Sequence, residues 1–183
     1  HKASDLNGPD GKKIYEALSI LKKERIISKI GISIYSPSEL DNIVPNFDID
    51  IVQSPFNVFD TRLKTSGWMN KLHQANVEIH TRSTFLQGLL LMDLKDIPTK
   101  FIKWTNLFAL WDKTVDQSNM NKMEACIQFS SSFNEIDKVI FGVDNLKQFK
   151  EVMDYNFLNY SYNLNNFSST DESLINPSKW DTL

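Results

Sequence analysis

Much that would specialise a protein is missing from this 183-residue chain. Its single cysteine, Cys126, excludes an internal disulfide and makes a reducing, cytoplasmic setting the expectation. No apolar run nears the roughly 20 residues that span a bilayer. The longest, around Phe85–Met92, is interrupted by Gln87 and Gly88. No basic excess is present either: 20 Lys and Arg stand against 23 Asp and Glu. The formal net charge of −3 therefore predicts neither a nucleic-acid nor a membrane partner. Glycine-rich phosphate loops of the G-x-G-x-x-G or Walker kind are absent, as is the G-x-S-x-G elbow, to which Gly31-Ile32-Ser33-Ile34 comes only superficially close. Three scattered histidines and one cysteine offer no metal-ligand spacing, so no metal is expected.

What is present is alternation. Ile14, Ala17, Leu18 and Leu21 share one face at helical spacing, with Lys22 and Lys23 suited to a C-terminal turn. "ISKIGIS" (27–33) then reads as a buried strand, and Ser36-Pro37-Ser38-Glu39 as a capping box opening a short helix that Pro45 stops. A second strand is expected over Ile49–Gln53, and one helix over 61–76 despite Gly67, with Leu63, Trp68, Met69 and Leu72 as its apolar contacts. "VEIHTRS" (77–83) is a third strand. Residues 88–118 read as a long irregular insert with short helices after Pro98, and "MNKMEACIQFSSSF" (120–133) as a helix. "KVIFGV" (138–143) gives a fourth strand, followed by a helix over 145–158 with Asp144 as its N-cap. The Asn- and Ser-rich tail carries Trp180, which is expected to pack, and two glycosylation-like triplets at Asn159 and Asn166 that read as accidental. Strands alternating with helices predict βαβ units and a parallel sheet, either a small open sheet or part of a (β/α)₈ barrel.

In both architectures ligands meet the C-terminal ends of the strands. Ser33, Gln53, Arg82 with Ser83, and Gly142 occupy those ends here, an amide and hydroxyls suited to an amide-bearing ligand such as nicotinamide. Bland readings apply elsewhere: His73 on the solvent side of a helix, His80 satisfied within a strand, Cys126 a core filler. Trp104, Phe108 and Trp111 fit either a substrate mouth or simple packing of the insert.

The strings "LKKERIISKIGISIYSPSEL", "DIDIVQSPFNVFDTRL", "VEIHTRSTFLQGLLL" and "KVIFGVDNLKQFKEV", with "INPSKW" at 175–180, resemble the aldo-keto reductases in order and spacing, and within them a bacterial branch. The resemblance covers residues 1–183 as a single partial domain with a tail at 158–183. It implies the C-terminal half of a (β/α)₈ barrel, from the end of strand four through helix eight. An oxidoreductase is then expected, reducing an aldehyde or ketone with NADPH or NADH by hydride transfer. Its catalytic tetrad would comprise an Asp, a Tyr and a Lys upstream of this chain, and His1. The chain opens on His1 and not on Met. His1 is thus either the tetrad histidine, in a chain cut from a longer protein, or a purification-tag remnant.

For the cofactor, the resemblance implies that Ser33 and Gln53 hold the nicotinamide carboxamide, although Ile34 stands where the family writes Asn. Arg82 replaces the usual aromatic that stacks on the nicotinamide ring. Ser83, Phe85 and Gln87 fall on the loop that contacts the pyrophosphate, and Gly142 precedes a helix whose N-terminus should face a phosphate. Gln148 replaces the Arg that binds a 2′-phosphate, leaving NADP, NAD or both open, and Glu151 matches a contact at the adenosine end. The partner half of the barrel would be another part of the same protein or a second copy. The alternative from a different class is a non-catalytic half-barrel that binds a nucleotide or another protein. An unrelated open-sheet protein would require all the motif matches to be chance.

Overall fold

The computed structural model describes residues 2–118, 120–155 and 167–183. They fall into two compact units, one of His1–Pro55, Arg62–Arg82 and Glu135–Lys138, the other of Phe56–Thr61, Ser83–Asn134 and Val139–Leu183.

The first unit is organised by strands β1 (Gly31–Ser33), β2 (Ile51–Pro55) and β3 (Glu78–Arg82), joined by parallel pairing, with β4 (Lys138–Val139) next in the sheet order β1-β2-β3-β4. Register sets Ser33 beside Gln53, Gln53 beside His80, and Pro55 beside Arg82. Since side chains alternate along a strand, Ile32, Val52, Ser54, Ile79 and Thr81 share a buried face. The opposite face carries Ser33, Gln53, Glu78, His80 and Arg82, all half-buried. Gly31 lets β1 lie close against β2: a Cβ there would lie 3.0 Å from the Ile51 Cβ and 3.1 Å from its carbonyl oxygen, so Ile51 would have to give way. Asp50, just before β2, ties that strand's start to the residue just before β1, accepting from the Ile30 N–H at 2.7 Å and from Lys22 Nζ at 2.6 Å.

Helices α1 (Ala3–Asn7) and α2 (Gly11–Lys23) precede the sheet. The apolar stripe expected on α2 is only partly covered, with Leu18 and Leu21 half-buried but Ile14 and Ala17 exposed. Glu39 closes the expected cap by accepting from the Tyr35 and Ser36 amides, and a 3₁₀ turn over Pro37–Glu39 leads into α3 (Leu40–Ile43). The single helix expected over 61–76 is two, α4 (Arg62–Thr65) and α5 (Trp68–Gln74), because Gly67 sits at φ +81°. Leu63, Trp68, Met69 and Leu72 are nevertheless all buried, and the Trp68 Nε1–H reaches Asp41 at 2.9 Å.

The second unit has an aromatic core. Phe56 stacks on Phe129, Phe59 tilts against Phe108, and Trp111 meets Phe167 edge-on, with ring centroids 5.3, 5.4 and 5.5 Å apart. The insert is more regular than expected: after 3₁₀ turns at Leu89–Leu91, Leu94–Asp96 and Thr99–Trp104 it forms α6 (Thr105–Ser118), a 14-residue helix. Phe108, Trp111 and Val115 share its buried side, and the Trp111 Nε1–H donates to the Leu90 carbonyl. Burial of Trp104, Phe108 and Trp111 resolves their two readings in favour of packing.

α7 (Lys122–Ser131) starts at a reciprocal Asn121–Glu124 cap. The fourth strand covers two residues where six were expected, and α8 (Leu146–Met153) is capped by Asn145, not Asp144: the Asn145 side-chain Oδ1 accepts from the Gln148 N–H at 3.0 Å. Helix α9 (Glu172–Ile175) and a 3₁₀ segment over Pro177–Thr182 complete the tail, where Trp180 packs edge-on against Phe101, centroids 4.8 Å apart. No described helix is long and apolar enough to cross a membrane.

Candidate active site

The sequence-predicted residues divide between the units. In the first, Ser33 ends β1, but Gln53, expected at the end of a strand over Ile49–Gln53, sits at the centre of β2 because that strand covers Ile51–Pro55; the two still share one rung and one half-buried face. The Ser33 hydroxyl oxygen is buried and has no hydrogen-bond partner among the described residues. An unsatisfied buried hydroxyl costs about 1–3 kcal/mol, so a native protein keeps one only where something else offsets the loss. The Gln53 side-chain amide likewise shows no hydrogen bond within the described residues, while its backbone carbonyl accepts from the Ile34 N–H at 2.9 Å.

Arg82, at the end of β3, holds its guanidinium over the Tyr35 ring, Cζ 4.7 Å from the centroid, and donates from Nη2 to the Ile34 carbonyl at 3.1 Å. Neither Tyr35 nor this stack was foreseen from the sequence. His80 bonds Glu78 Oε2 at 3.2 Å, the satisfied strand histidine that was expected. The nearby Lys29–Glu78 ion pair outweighs a small burial penalty and holds the Glu78 carboxyl below its usual range.

In the second unit, the loop after β3 has an unusual backbone. Ser83, Leu86 and Gln87 have φ of 62°, 47° and 54°, and Gly88 follows at 83°. Left-handed conformations at non-glycine residues are costly, roughly 1–3 kcal/mol each, and here they occur in a cluster. The Asn57 side chain braces the loop by donating to the Ser83 carbonyl at 3.0 Å, and Phe85 lies against Phe141, centroids 6.1 Å apart. Consecutive amides in such turns form concavities that favour anions. Gly142 is exposed beyond β4, and at α8 the Gln148 Oε1 accepts from the Asp144 N–H at 2.7 Å. Lys147 pairs with Glu151 at 3.8 Å on the exposed side of the helix. His1 lies outside the described residues.

Parallel strands joined by helices, with polar groups gathered at their C-terminal ends, define an α/β protein of the barrel class. The sequence model of the Aldo/keto reductase family matches residues 9–170, and the chain belongs to that family. Among solved structures, an aldo-keto reductase from Bacillus halodurans in its holo form, AKR11C1, superposes with a TM-score of 0.66 at 19% identity. That match covers 80% of this chain and 50% of the other. A glycerol dehydrogenase from Gluconobacter oxydans, AKR11B4, gives a TM-score of 0.51 at 17% identity, over 75% of this chain and 51% of its own. At such identities the likeness is one of fold, that of part of a (β/α)₈ barrel. The chain spans about half the length of these structures. No curated protein matches it.

Proposed function

We propose that this chain supplies the cofactor-binding half of a cytoplasmic, NAD(P)H-dependent oxidoreductase that reduces an aldehyde or ketone. The buried, unpartnered Ser33 hydroxyl carries the proposal: at the C-terminal end of a parallel strand, on one rung with Gln53, it offers a donor and acceptor where a nicotinamide carboxamide needs both. A bound reduced nicotinamide would supply the hydride. Ser33 and Gln53 would fix its amide and hence the face it presents, a positioning task in which small misplacements cost rate steeply.

In the second unit, the backbone amides of the left-handed residues Ser83, Leu86, Gln87 and Gly88 are suited to a pyrophosphate, helped by the Ser83, Phe85 and Gln87 side chains. Beyond Gly142, the Gln148 amide, already accepting from Asp144, brings no positive charge for a 2′-phosphate. Glu151, engaged with Lys147, would meet the adenosine end. NADH and NADPH should therefore be used comparably. His1 would orient the carbonyl, while the proton donor Tyr and its Asp and Lys would come from the other half of the barrel, in the same protein or a second copy.

Titration of the intact protein with NADH and NADPH, followed by quenching of tryptophan fluorescence, tests this. Saturable binding that weakens in Ser33→Ala and Gln53→Ala is expected. Absence of binding by either dinucleotide would overturn it. A preference for NADPH above about tenfold, or 1.4 kcal/mol, would refute the role given to Gln148.

A further inference from the structure

One rung of the first unit's sheet carries three polar side chains on the same half-buried face: Ser33 on β1, Gln53 on β2 and His80 on β3. Adjacent strands lie about 4.8 Å apart, so each of the three neighbours the next, with Gln53 in the middle. The Gln53 side-chain amide makes no hydrogen bond within the described residues, although it has two donors and an acceptor to place. Between a hydroxyl and an imidazole it can be turned either way, and the way it is turned decides what it offers a ligand.

The state of the His80 ring follows from its contacts. Its Nε2 lies 3.2 Å from Glu78 Oε2, and the other Glu78 oxygen pairs with Lys29. That lysine holds the Glu78 carboxyl below its usual range, and an ionised carboxylate can only accept. Nε2 therefore carries the ring proton. In the neutral ring Nδ1 is then a bare acceptor, and no donor among the described residues reaches it. An acceptor beside Gln53 draws the amide's NH₂ towards itself and turns the amide oxygen the other way.

We propose that His80 is a positioning residue: by accepting from the Gln53 amide it fixes the Gln53 oxygen as an acceptor, so that the Ser33–Gln53 rung selects a ligand bearing a primary amide. This rests on the assignment of Ser33 and Gln53 to the nicotinamide carboxamide. The Ser33 hydroxyl would donate to the carboxamide oxygen, and Gln53 would accept from its amino group. A ring carrying a ketone in place of the amide has no hydrogen to give that acceptor and would leave it unpaired, which is how a site built to bond an N–H rejects an analogue without one.

Dissociation constants of NADH and of reduced 3-acetylpyridine adenine dinucleotide, which keeps the carbonyl and lacks the amino group, test this by calorimetry on the intact protein in mildly alkaline buffer. NADH should bind about tenfold more tightly, the effect of one good hydrogen bond. His80→Asn sets an amide oxygen close to the place of Nδ1 and should keep most of that preference. His80→Gln sets its amide near the place of Nε2, keeping a partner for Glu78 and giving up the Nδ1 acceptor. There the ratio should fall towards one, because the Gln53 amide is free to turn and donate to the acetyl oxygen. His80→Phe should behave like His80→Gln and serves if that variant fails to fold. A histidine that only braces the strand would shift both constants together and leave their ratio unchanged. A wild-type ratio near one, or a ratio that His80→Gln and His80→Phe leave intact, would overturn the role of His80 while leaving dinucleotide binding in place. So would a ratio lost in His80→Asn and kept in His80→Gln, since that pattern belongs to the Glu78 contact alone. If neither dinucleotide binds, the carboxamide assignment fails and the role of His80 with it.

Discussion

Ser33→Ala should change stability and cofactor affinity in opposite directions. The Ser33 hydroxyl is buried with no partner among the described residues, so replacing it by a methyl group removes an unmet polar atom and leaves only a small void. Taking the low end of the cost of an unsatisfied buried hydroxyl, the variant should gain about 1 kcal/mol. For a chain of this length that corresponds to a rise of about 2–4 °C in the unfolding midpoint, or roughly 0.5 M in a urea midpoint. The same change removes a hydrogen bond to the carboxamide, and NADPH should bind about tenfold more weakly, the effect of one good hydrogen bond. Urea melts followed by circular dichroism, alongside fluorescence titration of the same preparations, give both numbers. Destabilisation of the variant would show that the hydroxyl is already satisfied without ligand. A stabilised variant with unchanged affinity would show that no ligand uses it.

Three further outcomes follow from named contacts. Burial alone would raise the Asp50 carboxyl, but the Ile30 amide and Lys22 outweigh it and hold it below its ordinary value of 3.8, so its stabilising contribution is complete above that value and lost as pH falls through the depressed one. Lys22, raised chiefly by its hydrogen bond to Asp50, contributes below 10.5 and ceases to as pH climbs past its raised value; Asp50→Asn should accordingly flatten the acid limb of a stability–pH profile below about pH 4. Ala normally exceeds Gly in a helix by about 1 kcal/mol, yet Gly11→Ala should destabilise, because the new Cβ would fall 1.8 Å from the Leu6 carbonyl oxygen; a higher melting temperature would refute this. Cys126 is 1% exposed and burial pushes its thiol well above the usual range, so a thiol reagent such as DTNB should label it only after denaturant is added.

The sheet was legible because isoleucine and valine recur in short segments closed by turn residues, and parallel pairing followed from the helices between them. Residues 61–76 read as one helix because their apolar spacing continues across Gly67, and only the backbone angle there divides it. Helix α6 was missed for want of a cap: no side chain caps its start, which continues from the 3₁₀ segment before it. The spacing of Phe108, Trp111 and Val115 was the signal available. Asp144 and Asn145 are equally good N-caps in sequence, and the Gln148 side chain decides between them by bonding the Asp144 amide. Counting along the strands put Ser33 at a strand end, where it lies, and Gln53 at another, but β2 runs on to Pro55 and leaves Gln53 at its centre, on one rung with Ser33. The stack of Arg82 on Tyr35 joins residues from different strand ends through a long side chain, a contact that no local pattern encodes.

Strand order that repeats chain order also has a meaning for biosynthesis. Among the described strands, β2 finds β1 already made and β3 finds β2. Parallel sheets pair slowly when their neighbours are far apart along the chain. These strands are laid down as a queue, each βα step able to dock on the one before it while later ones are still being synthesised.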